Sequence, residues 1–409
     1  MFIKRFKVIR ILGDFFMREV YIVDAIRTPI GKFGGSLIRF SAVELGALVI
    51  RKILERNNLD PSILDIVIMG QVIRDGTGQN TARQASIMAG VPNNVDAFNV
   101  DMVCASGMMA VINGASLIKS GDADLIIAGG MESMSRSPFI IPHQYRWGVK
   151  IDYTGGLTIL DSLVYEGLRD PFNGMVMLQE ADIVAAERGY NRERLEEIAY
   201  ESHMRAYNAT KSGCFKREIT PIILDDKIIL EIDEGIRPDT SLEKMSKLPP
   251  VFQGGIHTAA TSSQISDGAS AILLASEEAI GKYNLKVRAR IVGYSWAAAD
   301  SWRFPEAPIH AVRKLLTKSG LTLDDIDLFE NNEAFAVSTA LFEDLLGVSR
   351  SKLNVFGGAI ALGHPLGASG ARIITTLINA MEHYNCFRGV AALCHGTGGA
   401  TSIMIEKAD

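Results

Sequence analysis

The stretch Asn99-Val100-Asp101-Met102-Val103-Cys104-Ala105-Ser106-Gly107-Met108-Met109-Ala110-Val111 carries an apolar lead-in, a cysteine, a small-residue turn and the start of a helix. The helix is predicted because Met108, Val111, Ile112, Ala115 and Ile118 recur at three- and four-residue steps. Cys104 thus stands where a helix begins, with peptide N–H groups and the positive dipole end beside its sulfur. That placement lowers a thiol pKa and favours the nucleophilic thiolate. A buried cysteine acting as a small hydrophobe fits the same stretch equally well.

Working outward, Val20 to Ile26 reads as a strand, Ser41 to Glu55 as an amphipathic helix and Ile63 to Met69 as a buried strand. Gln79 to Ala89 reads as a helix and Asp96 to Val103 as the strand before Cys104. Asp124 to Gly130 reads as a strand running into a glycine turn. Strands alternating with helices imply a layered α/β fold.

The pattern then recurs. Leu59 and Leu64-Asp65-Ile66-Val67 are echoed by Leu321 and Ile326-Asp327-Leu328-Phe329, Ala105-Ser106-Gly107 by Ala368-Ser369-Gly370, and Leu125 to Gly130 by Ala391 to Gly396. The offsets lie between 262 and 266 residues. This near-constant spacing implies a duplicated unit with pseudo-twofold symmetry, so that equivalent glycine-rich turns meet in one place. One such turn carries Cys104 and the other His364.

The 409 residues are 47% hydrophobic and 22% charged, enough for more than one domain and a large core. A net charge of -5 argues against a nucleic-acid coat. Four scattered cysteines (Cys104, Cys214, Cys386, Cys394) make a disulfide scaffold implausible and a reducing cytoplasm the expected compartment. No apolar run is read as long enough for a membrane span. Residues 1–16 are basic and apolar and read as a plain extension. The expected organisation is a first core half over 17–134 with 265–288, a mostly helical insertion over 135–264, and a second core half over 289–409. Within the insertion, Asp182 to Thr210 is predicted as one helix.

Three late segments hold the remaining candidates. His364 lies in the fourteen-residue small-residue stretch Gly357 to Gly370, where backbone can approach a ligand closely and an imidazole is a candidate base for a thiol. Cys394 ends a buried strand and precedes Gly396, whose N–H is free to serve an oxyanion. Asn332, in Glu330-Asn331-Asn332-Glu333-Ala334-Phe335, can hold a water or donate to a carbonyl. A metal site from His383, Cys386, Cys394 and His395 matches no zinc spacing.

The ordered set of Cys104 before Ala-Ser-Gly, Asn332-Glu333-Ala334-Phe335, Gly363-His364-Pro365-Leu366-Gly367-Ala368-Ser369-Gly370 and Cys394-His395-Gly396 resembles the thiolase family, as does Arg27-Thr28-Pro29-Ile30-Gly31-Lys32 near the start. The resemblance runs from Met17 to the end. It implies a duplicated βαβαβαββ core in five layers, α-β-α-β-α, with an inserted loop domain. It implies an acyltransferase in which Cys104, activated by His364, takes an acyl group from acyl-CoA while Cys394 moves the α-proton of a second acetyl-CoA. The N–H groups of Cys104 and Gly396 would form one oxyanion hole, and His364 with an Asn332-bound water the other.

By the same resemblance, Arg237, Phe252, Ser263, Met177, Ala334 and Phe335 contact coenzyme A, which is a substrate rather than a tightly bound cofactor. A homotetramer built as a dimer of dimers is implied, with no nucleic-acid, membrane or metal partner. Val176 stands where many acetoacetyl-CoA thiolases have histidine, Thr397 interrupts the usual run of glycines after Cys394, and bulky residues mark Asp300 to Glu306, a segment that lines the family's acyl pocket. A longer-chain 3-ketoacyl-CoA thiolase, a ketoacyl synthase, hydroxymethylglutaryl-CoA synthase, a cysteine hydrolase and a non-catalytic acyl-CoA carrier are the competing readings. The long insertion and the Cys394-x-Gly396 pattern favour thiolase.

Overall fold

The computed structural model describes residues 18–148, 156 and 158–408, so the reading of residues 1–16 as an extension lies outside the described residues. Nine strands define the central sheet: β1 (Tyr21–Arg27), β2 (Ile66–Gly70), β3 (Asp96–Val100), β4 (Leu125–Ser133), β5 (Ser266–Ala275), β6 (Ala289–Ala298), β7 (Leu328–Asn331), β8 (Arg388–His395) and β9 (Gly399–Lys407). Their spatial order is β7-β8-β9-β6-β1-β5-β4-β2-β3, with the two-residue strand Gly31–Lys32 added against β5. The order β1-β5-β4-β2 in one half repeats as β6-β9-β8-β7 in the other. Leu353 bridges Phe329 in parallel where β3 stands in the first half.

The two halves join through a short antiparallel ladder, Tyr21 with Arg290 and Ile22 with Ala289. One hydrogen-bonded device recurs at the same place in both halves. The carboxylate of Asp65 accepts the N–H groups of Asp124 and Leu125 at 2.7 and 2.9 Å. Asp327 accepts those of Phe387 and Arg388 at 2.8 and 2.9 Å.

The helices follow the same symmetry. On the first half lie α1 (Ala42–Arg56), started by a Ser41/Glu44 capping box, and α2 (Thr81–Met88). At the centre, α3 (Ser106–Ser120) packs on a helix from the second half, described below as α8. The insertion contributes α4 (Met177–Glu187) and α5 (Arg192–Lys211), and the second half α6 (Ala307–Ser319), α7 (Ala336–Leu341) and α8 (Leu366–Tyr384). One core cluster gathers α3, α8 and the inner faces of both sheet halves, while two others lie under α1–α2 and under α6–α7. These are the five layers. Each fully buried Leu or Ile on α8 contributes about 1.5–3 kcal/mol by leaving water.

The glycines of the Ala-Ser-Gly repeats allow α3 and α8 to touch backbone to backbone. A Cβ on Gly370 would lie 2.2 Å from the Met108 nitrogen. The apolar stretch Val103–Ser120 is in fact long and apolar enough to span a membrane by composition, at mean hydropathy 1.2, contrary to the sequence reading. It is instead the central core helix, covered by α8 and sheet on both sides.

Local expectations are corrected in three places. The strand from Leu125 does not stop at its glycines but runs to Ser133, because Gly130 lies against the Gly367 carbonyl, where a Cβ would be 1.9 Å away. The single helix over 182–210 is two, broken at Gly189 (φ +71°) and restarted by Asn191, whose side chain accepts the Arg194 N–H. The strand before Cys104 ends at Val100, and a tight turn follows.

Candidate active site

Cys104 sits in that turn, just before α3. Val103 adopts φ +47°, a left-handed conformation that costs a β-branched residue energy. The turn is held by the Ser106 hydroxyl, which donates to the Val103 carbonyl at 2.6 Å and accepts the Met102 N–H at 2.8 Å. The N–H groups of Gly396 and of Cys104 itself lie close to the Cys104 sulfur and pull its pKa down. Burial nevertheless pushes the thiol up to about 12, against the sequence expectation of a lowered pKa. Desolvation of a charged sulfur outweighs what two N–H groups and a helix terminus return. The resting Cys104 is a neutral thiol.

His364 is buried, and burial, helped by the nearby Arg372 charge, lowers its imidazole to about 3. Its Nδ1 lies 2.6 Å from the Ser369 hydroxyl, which itself donates to the Pro365 carbonyl at 2.9 Å. The Asn332 amide nitrogen is 3.3 Å from both ring nitrogens, so it lies across the ring rather than on one lone pair. Arg372 orients that amide by donating to Asn332 Oδ1 at 3.0 Å.

Cys394 occupies the buried end of β8. Burial raises its thiol pKa, and the nearby Cys104 raises it further, which sets the two sulfurs within electrostatic reach of each other. Next to them is Gly396, its Cα facing the Met177 sulfur across the space a Cβ would fill, 3.4 Å from that position.

Met177 leads outward. An apolar cavity of about 270 Å³ is lined by Met177, Phe252, Ser263, Phe335 and His364, with Val176 in its wall. Gln264 separates it from a second cavity of about 180 Å³ lined by Arg237, Lys244 and His203. Together they make a channel, apolar at one end and carrying Arg237 and an Asp239-paired Lys244 at the other, which suits a long ligand with a charged end. Ala334, by contrast, is buried and reaches the channel only by accepting the Ser263 N–H at 2.9 Å through its carbonyl. The segment Asp300 to Glu306 does not line the cavity. Its Phe304 ring meets the Phe335 ring edge-on at 6.0 Å, one layer behind the wall.

Three supporting residues escaped the sequence reading. Ser369 and Arg372 set the imidazole and the amide. Glu132 accepts the N–H groups of Val72, Ile73 and Gly367, tying β4 to the start of α8. Ser369 had a signal, since it lies in the same glycine-rich stretch five residues after His364. Arg372 and Glu132 had none, because each is a charged residue within an apolar run. Among the described residues, no group of three His, Cys, Asp or Glu side chains converges to hold a metal.

The sequence matches the thiolase N-terminal domain over residues 20–278 and the thiolase C-terminal domain over 285–407. The chain belongs to the thiolase family. Relatives of this thiolase include the acetyl-CoA acetyltransferase of Synechocystis sp., 52% identical over 96% of this chain and 100% of that one. The cytosolic acetyl-CoA acetyltransferase of Mus musculus is 40% identical over 95% and 98% of the two chains. Among solved structures, an acetyl-CoA acetyltransferase from Bacillus anthracis superposes with a TM-score of 0.92 at 36% identity, covering 96% of this chain and 99% of the other. A thiolase from Ascaris suum in complex with coenzyme A gives 0.89 at 38% identity, covering 96% and 100%. The thiolase α/β architecture is therefore shared along nearly the whole chain.

Proposed function

We propose that this thiolase catalyses the reversible, CoA-dependent Claisen condensation of acetyl-CoA with acyl-CoA, with acetoacetyl-CoA as the principal 3-ketoacyl product. The reading is carried by one observation: the buried thiols of Cys104 and Cys394 lie within electrostatic reach of each other.

Burial keeps both thiols protonated and His364 neutral, so charge must be created inside the cycle. Cys104 attacks the thioester carbonyl as its proton passes to His364, and the departing CoA thiolate takes the proton of Cys394. The pair of imidazolium and Cys394 thiolate then faces the acyl-enzyme. Cys394 removes the α-proton of acetyl-CoA, the carbanion attacks the acyl carbonyl, and Cys104 leaves and recovers its proton from His364. The N–H groups of Cys104 and Gly396 serve the oxyanion at Cys104, and Asn332 with His364 serves the enolate oxygen.

Coenzyme A is assigned to the channel, its pantetheine arm along Met177, Phe252, Ser263 and Phe335 and its charged end toward Arg237. Ala334 is assigned to the ligand through its carbonyl bond to Ser263. The segment 135–264 is assigned to CoA and subunit contacts between the core halves 17–134 (with 265–288) and 289–409. A homotetramer is supported by exposed Phe139, Ile141 and Trp147, the last 82% exposed, and light scattering of the purified protein tests it. Residues 1–16 are assigned as a dispensable extension, which a truncated protein tests. A reducing cytoplasm suits a reaction that needs two free thiols.

Turnover of acetoacetyl-CoA plus CoA, measured beside longer 3-ketoacyl-CoA substrates, tests the assignment. A strong preference for the longer chains would replace it with a long-chain thiolase.

A further inference from the structure

We infer that His395 and Thr397 are positioning residues that hold the Gly396 N–H on the Cys104 sulfur; this rests on the proposed function and deepens it.

Gly396 to Gly398 form the three-residue connection of the β8–β9 hairpin, between the paired residues His395 and Gly399. A glycine has the greatest backbone freedom of any residue, so nothing intrinsic to Gly396 aims its N–H. Two side chains supply the aim. His395 Nδ1 lies 2.6 Å from the Gly396 carbonyl oxygen, and since a carbonyl only accepts, Nδ1 carries the proton and donates. The Thr397 hydroxyl donates to the same oxygen.

The His395 bond closes a ring running from the imidazole through its own Cα, across the 395–396 peptide, to the carbonyl of Gly396. That ring spans the ψ of His395 and both φ and ψ of Gly396, so the peptide whose N–H meets Cys104 cannot turn while the bond stands. Burial lowers the His395 pKa, which keeps the ring neutral, and the Nδ1 donor is retained. Gly399 makes room for the imidazole: a Cβ there would lie 2.1 Å from His395 Nε2.

Thr397 has a different signature. It adopts φ +71°, a left-handed conformation that a β-branched residue rarely takes. A glycine would hold that turn without strain, so the threonine is explained by its hydroxyl, the second donor to Gly396. These are the two positions where the chain follows Cys394 with something other than small residues before Gly399.

The test follows single acylation of Cys104 by acetyl-CoA, read by rapid quench and intact mass, together with kcat and KM. Removing an oxyanion donor outright costs about 10²–10³ in rate, so loosening one should cost about tenfold to a hundredfold in His395→Ala. KM for acetyl-CoA should stay within about twofold, and the acylation rate should fall in step with kcat. His395→Asn should recover most of the loss, because its amide nitrogen stands close to where Nδ1 stood. Thr397→Gly, which relieves backbone strain and so folds, should lose acylation rate severalfold. A wild-type acylation rate in both His395→Ala and Thr397→Gly overturns the inference, as does an equal loss in His395→Ala and His395→Asn. If His395→Ala does not fold, Thr397→Gly decides alone. A wild-type protein that never acylates Cys104 would instead overturn the proposed function.

Discussion

The Ser369 hydroxyl holds Nδ1 of His364 at 2.6 Å while donating to the Pro365 carbonyl. With its own proton committed, the hydroxyl accepts from Nδ1–H, and Nε2 is left as the basic nitrogen of the ring. The tautomer is thus set by a residue on the first turn of α8.

Ser369→Ala removes that partner and lets the proton settle on either nitrogen. Turnover should fall about tenfold to a hundredfold, part of the ~10²–10⁴ that general acid–base catalysis supplies. KM for acetyl-CoA should hold. An unchanged kcat would mean the ring is oriented by Asn332 alone.

The pH dependence follows from two displaced groups. His364 stays neutral down to about 3, and Cys104 stays a thiol up to about 12. Neither changes charge near neutrality, so the Cys104 acylation rate should be flat across neutral pH, and a steep acid limb near pH 6–7 would show an imidazolium–thiolate pair instead. For stability the sign is fixed by His364, whose folded pKa lies below the ordinary 6.5. The unfolded chain takes the proton first, so stability linked to His364 is complete above 6.5 and is lost as pH falls from there toward 3. Denaturant midpoints of wild type against His364→Asn across that range check it.

Removing Cys394 should separate the half-reactions. Cys394→Ala leaves His364 to serve Cys104 and leaves CoA to depart as its thiolate, a competent leaving group, so acetylated Cys104 should still accumulate from acetyl-CoA. Condensation and thiolysis should drop by a general-base factor, roughly 10²–10⁴. Intact-mass spectra beside a turnover assay read both. Near-normal condensation would make Cys394 a structural thiol.

Arg27 is buried, bonded to Glu218 at 2.6 Å and to both oxygens of Asp233 at 2.6 and 2.8 Å, and it faces the Phe215 ring. It ties the first strand to the insertion. Arg27→Met leaves two buried carboxylates without their cation and should cost about 3–5 kcal/mol, the loss typical of a broken buried pair. Urea unfolding measures it, with a loss below about 1 kcal/mol counting against the tie.

How far a sequence reading reached depended on the range of the interactions involved. The repeat was legible because Asp65 and Asp327 do the same work, each accepting two backbone N–H groups about sixty residues further on, and so recur at one spacing. Cys104 and His364 were legible as candidates because small residues surround a side chain that backbone approaches closely, and Cys394, Asn332 and Gly396 through the order of the motifs. Strand and helix ends were less so: Gly130 looks like a turn in sequence and is extended only because the Gly367 carbonyl is pressed against it.

Composition, the duplicated α/β pattern and the order of the candidate residues were thus determined by the chain itself, since they rest on local periodicity and residue chemistry. The charge states were not. A helix terminus predicts a lowered Cys104 thiol, yet the folded chain raises it to about 12, because removal from water is set by everything packed around the sulfur. The partners Arg372 and Glu132 were likewise decided only when segments far apart in sequence closed on one buried site.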